Sequence, residues 1–485
     1  MLRPFSKLLL VAVACASCVL YGWSQDSSNN TSDATADGEP TTVDTQHSSP
    51  LADSPAIEGT YDSGFDLPYK KSLLDFGFNL SQALQVSPSY AISPSYEAFS
   101  VTRLYGIFQL NRRNRRYQTN IDYKGGAIFH TNTESDRLKN SYIQQCTISE
   151  QVSWQSTSLI LEDAFNIFPG GNFGQQAFGG VGGVTGSGPS VGGGGGSFYG
   201  FNYFGGLGQG LSINNVALAT LTHELTARSS FSLSAGLALS DYIGNAAFIG
   251  YRQTTGTFGY YYALSPRTNL SLIYGYQYWN YPQLQYGTGS SSSSTDTFQL
   301  GLQHQISTRL SVGLSGGAQF INSSSHTVID VGPIIFGKTT NSSALDATAY
   351  AYASYGLKRS TLGLSYGHLM TSGSGYFAGS KSDIFQFTLS RPIGQHWAAT
   401  ANGGFVRLTS IQSEATGVIG SSYKYAFAGV AATRQIGKHY HFAAAYQFND
   451  ESFGNTCSSA AVCAGGQTHT ALFEFSWRKA PARID

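Results

Sequence analysis

The feature that most constrains this chain is an alternation of apolar and small polar residues, renewed every twenty residues or so from about residue 73 to residue 477. Phe231, Leu233, Ala235, Leu237 and Leu239 alternate with Ser232, Ser234, Gly236 and Ser240. Leu310, Val312, Leu314, Ala318 and Phe320 alternate with Ser311, Gly313, Ser315, Gly317 and Gln319. Phe298, Leu300 and Leu302 oppose Thr297, Gln299, Gly301, Gln303 and Gln305. A period of two puts each set on one face of a strand. Runs of about ten residues with an apolar face and a face of Ser, Gly, Thr and Gln are the mark of a membrane β-strand. A soluble antiparallel sheet alternates too, but the number of such runs and the scarcity of Lys and Glu on the polar face favour the membrane.

Composition closes other routes. Charged residues make up 12% of the chain, about half the usual share. Yet the only sustained apolar run lies within the first 24 residues, so a helical membrane bundle is excluded. Thirty Tyr and thirty Phe are incompatible with a disordered chain.

Connections set the strand count. Short, often basic turns fall at 111–116, 155–156, 228–229, 266–267, 308–309, 358–359, 391–395 and 435–438. Longer loops fall near 129–140, 167–212, 242–248, 280–295, 321–344, 371–381, 408–422 and 450–467. Their strict alternation matches periplasmic turns and extracellular loops, and with a first strand at Leu74–Val86 it predicts 18 strands, or 16 if the first hairpin is misread. The expected fold is all-β, a transmembrane antiparallel up-and-down β-barrel in the bacterial cell outer membrane, surrounded by outer-membrane lipids. Closure also removes the edges that so much sheet would otherwise expose.

Two segments precede the barrel, which is expected over 70–485. Arg3 and Lys7 before Leu8–Ala14, ending in the small residues Gly22 and Ser24, read as a signal peptide over 1–24. Residues 25–69 hold nine acids and no Lys or Arg, the composition of a disordered acidic periplasmic tail. Overall neutrality therefore hides a segment from Lys70 onward with a formal charge of about +7. The excess cations gather at the short turns as a basic periplasmic rim: Arg112, Arg113, Arg115, Arg116, Arg267, Arg309, Lys358, Arg359, Arg391, Arg434 and Lys438. Such a ring biases a pore toward anions; solvated turns, or partners of the acidic tail, are the alternative reading.

No motif carries catalysis. Gly313–Gly317 and Gly363–Gly367 match Gly-x-Ser-x-Gly but sit inside alternating strands, whereas a nucleophile elbow needs a strand-to-helix turn. His223-Glu224 lacks the second His of a metalloprotease, and Gly192–Gly196 lacks the Lys of a phosphate loop. His439 and His441 share a strand face, which lines a lumen more readily than it binds a metal. The expectation is no enzyme, cofactor, metal or nucleic-acid partner. In an exported chain, Cys457 and Cys463 are placed to form a disulfide in a surface loop.

The ending Leu472-Phe473-Glu474-Phe475-Ser476-Trp477 resembles the terminal strand that outer-membrane proteins present to the barrel-assembly machinery, and implies that machinery as a partner. Ser390-Arg391-Pro392-Ile393-Gly394 and Arg434-Gln435-Ile436-Gly437 resemble pieces of uncharacterised porin-like bacterial outer-membrane barrels. General porins fold their third surface loop inward. The resemblance implies the same for Phe168–Gly210, making Phe173, Phe178, Phe198, Tyr199, Phe201, Tyr203 and Phe204 constriction candidates. A surface flap is the alternative. Gln299, Gln303, Gln305, Gln386 and Glu474 are the pore-lining candidates. The expected function is passive, porin-like diffusion of small polar or anionic solutes. The competing reading is a structural or surface-interaction barrel, plugged by its loops, that binds polysaccharide or a partner; a barrel enzyme comes third.

Overall fold

The computed structural model describes residues 73–88, 96–114, 116–131, 141–169, 211–243, 248–284, 289–331, 334–373, 375, 377–394, 396–411, 422–453, 466–479 and 482–483. The leader, the acidic tail, the Phe173–Phe204 aromatics, Cys457, Cys463, Arg115 and the Arg113 side chain lie outside the described residues.

Every long element is a strand: β1 (Leu73–Pro88), β2 (Tyr96–Asn114), β3 (Tyr117–Thr131), β4 (Ser141–Ser153), β5 (Thr157–Pro169), β6 (Leu211–Thr226), β7 (Ser229–Ile243), β8 (Tyr251–Ser265) and β9 (Thr268–Tyr281). There follow β10 (Gly289–Ser307), β11 (Leu310–Val331), β12 (Ile334–Gly356), β13 (Thr361–Thr371), β14 (Ser380–Ile393), β15 (Trp397–Ser410), β16 (Ser422–Ile436), β17 (Tyr440–Phe453) and β18 (Gly466–Arg478). Each pairs antiparallel with its sequence neighbours, and β18 pairs with β1 from Gly77↔Arg478 to Val86↔His469. The result is a closed 18-stranded barrel. A two-residue β19 (Ala482–Arg483) turns back onto the start of β1.

The two faces of the wall differ as the alternation requires. Leu237, Leu300 and Leu314 point outward and are 60%, 62% and 62% exposed, while Ser232, Ser234, Ser271, Ser315 and Gln319 point inward and are buried. Aromatic rings bracket the outer apolar band. Tyr117, Trp154, Tyr262, Tyr355, Trp397 and Tyr440 stand near the short-turn end, and Tyr142, Tyr276 and Tyr278 nearer the other. An exterior that exposes Leu and Phe between two aromatic girdles is stable only in lipid. The chain is thus a transmembrane barrel of the bacterial outer-membrane type.

Two predicted loops need correction. Residues 280–295 and 321–344 are not loops for most of their length. β9 runs to Tyr281, β10 starts at Gly289, and β11 and β12 form one long ladder that starts from Leu310↔Tyr355 and closes at Val331↔Ile334. The Ser-rich runs at 290–294 and 323–325, read as loop composition, face one another strand to strand from Ser290↔His326 to Ser294↔Asn322. Ser and Thr on both faces suit a ladder that rises out of the lipid, where neither face has to be apolar. At 22 and 23 residues, β11 and β12 are about twice the length needed to cross a membrane.

Candidate functional site: the inner wall and a strap across its mouth

On the inner wall, Gln299, Gln303, Gln305, Gln386 and Glu474 all occupy inward positions, alternating with outward Phe298, Leu300, Leu302, Phe385, Phe473 and Phe475. They are not brought together. Gln299 donates through Nε2 to Thr348 Oγ1 at 2.9 Å. Glu474, four strands from Gln386 through the wall, belongs instead to a charged patch on β18, β1, β2 and β3. There it accepts from Asn79 Nδ2 and, at 3.4 Å, from Tyr105 Oη. Ser81 is directly opposite both Glu474 and Arg103, so the carboxylate and guanidinium are two strands apart at one height. Asp122 and Lys124 face inward on the adjoining β3, with Asp122 accepting from Gln109 Nε2 at 2.9 Å. Arg103, Asp122 and Lys124 were missed from sequence, although continuing the alternation of β2 and β3 would have placed them inside.

The basic rim falls at one end of the barrel, because all even-to-odd connections of an up-and-down barrel lie there. Arg112, Arg116, Arg267, Arg309, Lys358, Arg359, Arg391, Arg434 and Lys438 are exposed, and Arg434 lies 5.2 Å over the Trp397 ring. His439 Nδ1 lies 2.9 Å from Arg478 O, while His441 faces inward on β17; no group of three metal-binding side chains occurs among the described residues. His223 sits on the outer face against Thr157 Oγ1 at 2.7 Å and the Phe231 ring. Both Gly-x-Ser-x-Gly matches lie within β11 and β13, with no helix after either.

The feature least visible in the sequence is at the opposite mouth. Between β13 and β14 the described residues do not rise into solvent. Ser372, Gly373, Gly375, Phe377, Ala378 and Gly379 are all buried. Gly373, Gly375 and Gly379 have φ of +84°, +80° and +90°, the left-handed conformation that glycine takes without a Cβ penalty. This folding brings the strap against the segment leading into β8, where Ile249 N–H donates to Gly375 O at 2.8 Å. On β9, Tyr281 Oη donates to Ser372 O at 3.2 Å. Its base is tied by a hydroxyl cluster, Thr371 with Ser380 and Ser382 at 2.9 and 2.6 Å.

Two apolar clusters meet at the strap. Phe377, 3% exposed, packs with Phe248, Ile384, Val406, Leu408, Tyr423, Tyr425 and Phe427. Ala378 packs with Ile249, Tyr251, Trp279, Tyr281, Ile321 and Met370, where both Trp279 and Tyr281 are 0% exposed. Phe248 enters from the β7–β8 side, yet the cluster it joins includes Val406, Leu408, Tyr423 and Tyr425 of β15 and β16, about eight strands around the wall. In an 18-stranded ring that is nearly the opposite side. Strap and Phe248 segment therefore form an apolar bridge across the lumen at the long-loop end.

No protein-family model matches the chain, and no curated protein does. Among solved structures it is similar in outline to the ferric-catecholate import receptor Fiu of E. coli, at 8% identity and a TM-score of 0.42, over 84% of this chain and 82% of that one. The Pseudomonas aeruginosa outer membrane protein opdK gives 12% identity and 0.40, over 84% and 98%. Acinetobacter baumannii OccAB2 gives 10% and 0.42, again over 84% and 98%. At these TM-scores the fold assignment rests on the strand ladder alone.

Proposed function

We propose that this protein is a porin-like passive channel for small polar or anionic solutes, narrowed at its long-loop mouth by the strap. The observation that carries the proposal is the inner wall: a closed ring of inward Ser, Thr, Gln and Asn behind an apolar exterior, in a barrel of the strand number at which porins keep a channel. Gln299, Gln303, Gln305, Gln386 and Glu474 contribute to that lining, and the rim cations favour anions by their sign. In this reading the rim lies in the periplasm and the strap outside, which the alternation of short turns and long loops supports. The alternating terminal strand, with Phe473, Phe475 and Trp477, serves as the assembly signal.

One observation favours a second reading. The strap is buried, hydrogen-bonded and apolar, as a plug would be, so the barrel is in that case a loop-plugged surface protein that binds polysaccharide or a partner. Planar-bilayer recordings of the refolded mature chain, with and without residues 373–379, separate the two. Steps from the intact chain support the channel. Steps only after deletion support the plugged barrel. Silence from both, with folding verified by heat-modifiable migration, overturns the diffusion reading.

A further inference from the structure

Two cations stand side by side on the outer face of the wall near its long-loop end. Arg407 on β15 and Lys424 on β16 are directly opposite in the ladder, and both are exposed on the outward face. Their height follows from the strand. Arg407 is ten residues from Trp397 of the short-turn girdle, which at about 3.3 Å per residue and a tilt near 40° is roughly 25 Å, the thickness of the apolar band of such a barrel. The neighbours toward the membrane are apolar: outward Phe405 and Phe385, 40% and 45% exposed, with Ala426 and Val430 on β16. The pair therefore stands at the level of lipid headgroups.

Like charges directly opposite on one sheet face repel, and neither cation forms an ion pair among the described residues. Nearby, Lys381 pairs with Asp346 at 2.7 Å, and His368 Nδ1 lies 2.7 Å from Asp383 Oδ1. Asp383 is the cross-strand neighbour of Arg407, but it is held by His368 and by Tyr366 Oη at 3.1 Å. Asp450 stands one diagonal step from Lys424, opposite Ala426, without an ion pair to it. Two adjacent cations with their own acids engaged or offset, flush with the headgroup layer, form a fork for a phosphate.

We propose that Arg407 and Lys424 bind a phosphate of the anionic glycolipid in the outer leaflet. This rests on the reading of the long-loop end as the outer one, but not on whether the barrel conducts. The test uses the full refolded chain in mixed micelles with lipopolysaccharide, dephosphorylated lipopolysaccharide or phosphatidylglycerol, scored by native mass spectrometry. The wild type is expected to retain lipopolysaccharide in preference to both others. A juxtamembrane cation near an anionic surface contributes about fivefold in affinity, so Arg407→Gln/Lys424→Gln together lose roughly thirtyfold. Arg391→Gln/Lys438→Gln at the other end leaves retention unchanged. Equal retention by the outer double variant, equal retention of the dephosphorylated glycolipid, or equal binding of phosphatidylglycerol each overturns the proposal. Heat-modifiable migration keeps a misfolded variant from being mistaken for a positive result, and Arg407→Lys, which preserves charge, is expected to recover most binding.

Discussion

Replacing Phe377 by Ala probes whether the strap is what narrows the lumen. The ring is buried among seven other apolar residues of the bridge, while the strand ladders that hold the barrel do not include it. Truncating a buried Phe to Ala costs about 3–5 kcal/mol. Here that loss falls on the docked strap, because undocking breaks the few hydrogen bonds at Ser372 and Gly375 and leaves the wall intact. At 1.4 kcal/mol per factor of ten, even about 3 kcal/mol raises the undocked population roughly a hundredfold. Single-channel recordings of Phe377→Ala are expected to show frequent transitions to a higher conductance that are rare in the wild type. Phe248→Ala, entering the same cluster from the other wall, is expected to act alike, and the double variant to fall short of additivity because the two rings share partners. Identical conductance and open-channel noise in wild type and double variant, both shown to be folded and inserted, would refute the reasoning.

Gly375→Val is expected to mimic Phe377→Ala, since a Cβ there meets Tyr242 Oη at 2.6 Å in a left-handed backbone. Gly394→Ala, also left-handed but with nothing within 4 Å, costs only about 1–2 kcal/mol and leaves conductance unchanged. Leu300→Arg, on the lipid face, is expected to destabilise the barrel by about 2–4 kcal/mol in urea-dependent refolding into liposomes. The adjacent Gln299→Arg faces inward and should cost far less; equal costs would contradict the assigned faces. Neutralising Arg267, Arg309, Arg359 and Arg391 to Gln is expected to move the reversal potential in a salt gradient toward cation preference. No movement would place the rim away from the ion path.

The fold was legible because lipid and lumen write opposite demands on alternate residues. The same parity that makes Leu233 and Leu237 outward makes Ser232 and Ser234 inward, and every short turn recognised from Asn111–Arg116 to Gln435–Lys438 joins two real strands. Above the membrane that demand lapses. The Ser runs of β10 and β11 then look like loop although they pair. The strap was illegible for a different reason. Ser372, Gly373 and Gly375 have the composition of any surface loop, and what turns them inward is contact with Phe248 and Tyr281, residues remote in sequence and adjacent only after closure. Glu474 was found through its parity, whereas its companions Arg103 and Lys124 needed the register between β1, β2 and β3.

The seam between β1 and β18 makes this barrel a ring with one late joint. Its other ladders join strands that follow each other along the chain, but here Asn79 meets Glu474 across 395 positions. Loop-closure entropy places such a contact among the last to form. Until then the first strand is an unpaired edge awaiting the final one. The Asn79–Glu474 contact, buried on the inner side of that joint, works as a latch fastened from within. Glu474→Ala is thus a lesion whose first symptom is slow ring closure, visible as a long-lived unclosed species during insertion, before any loss of the finished barrel.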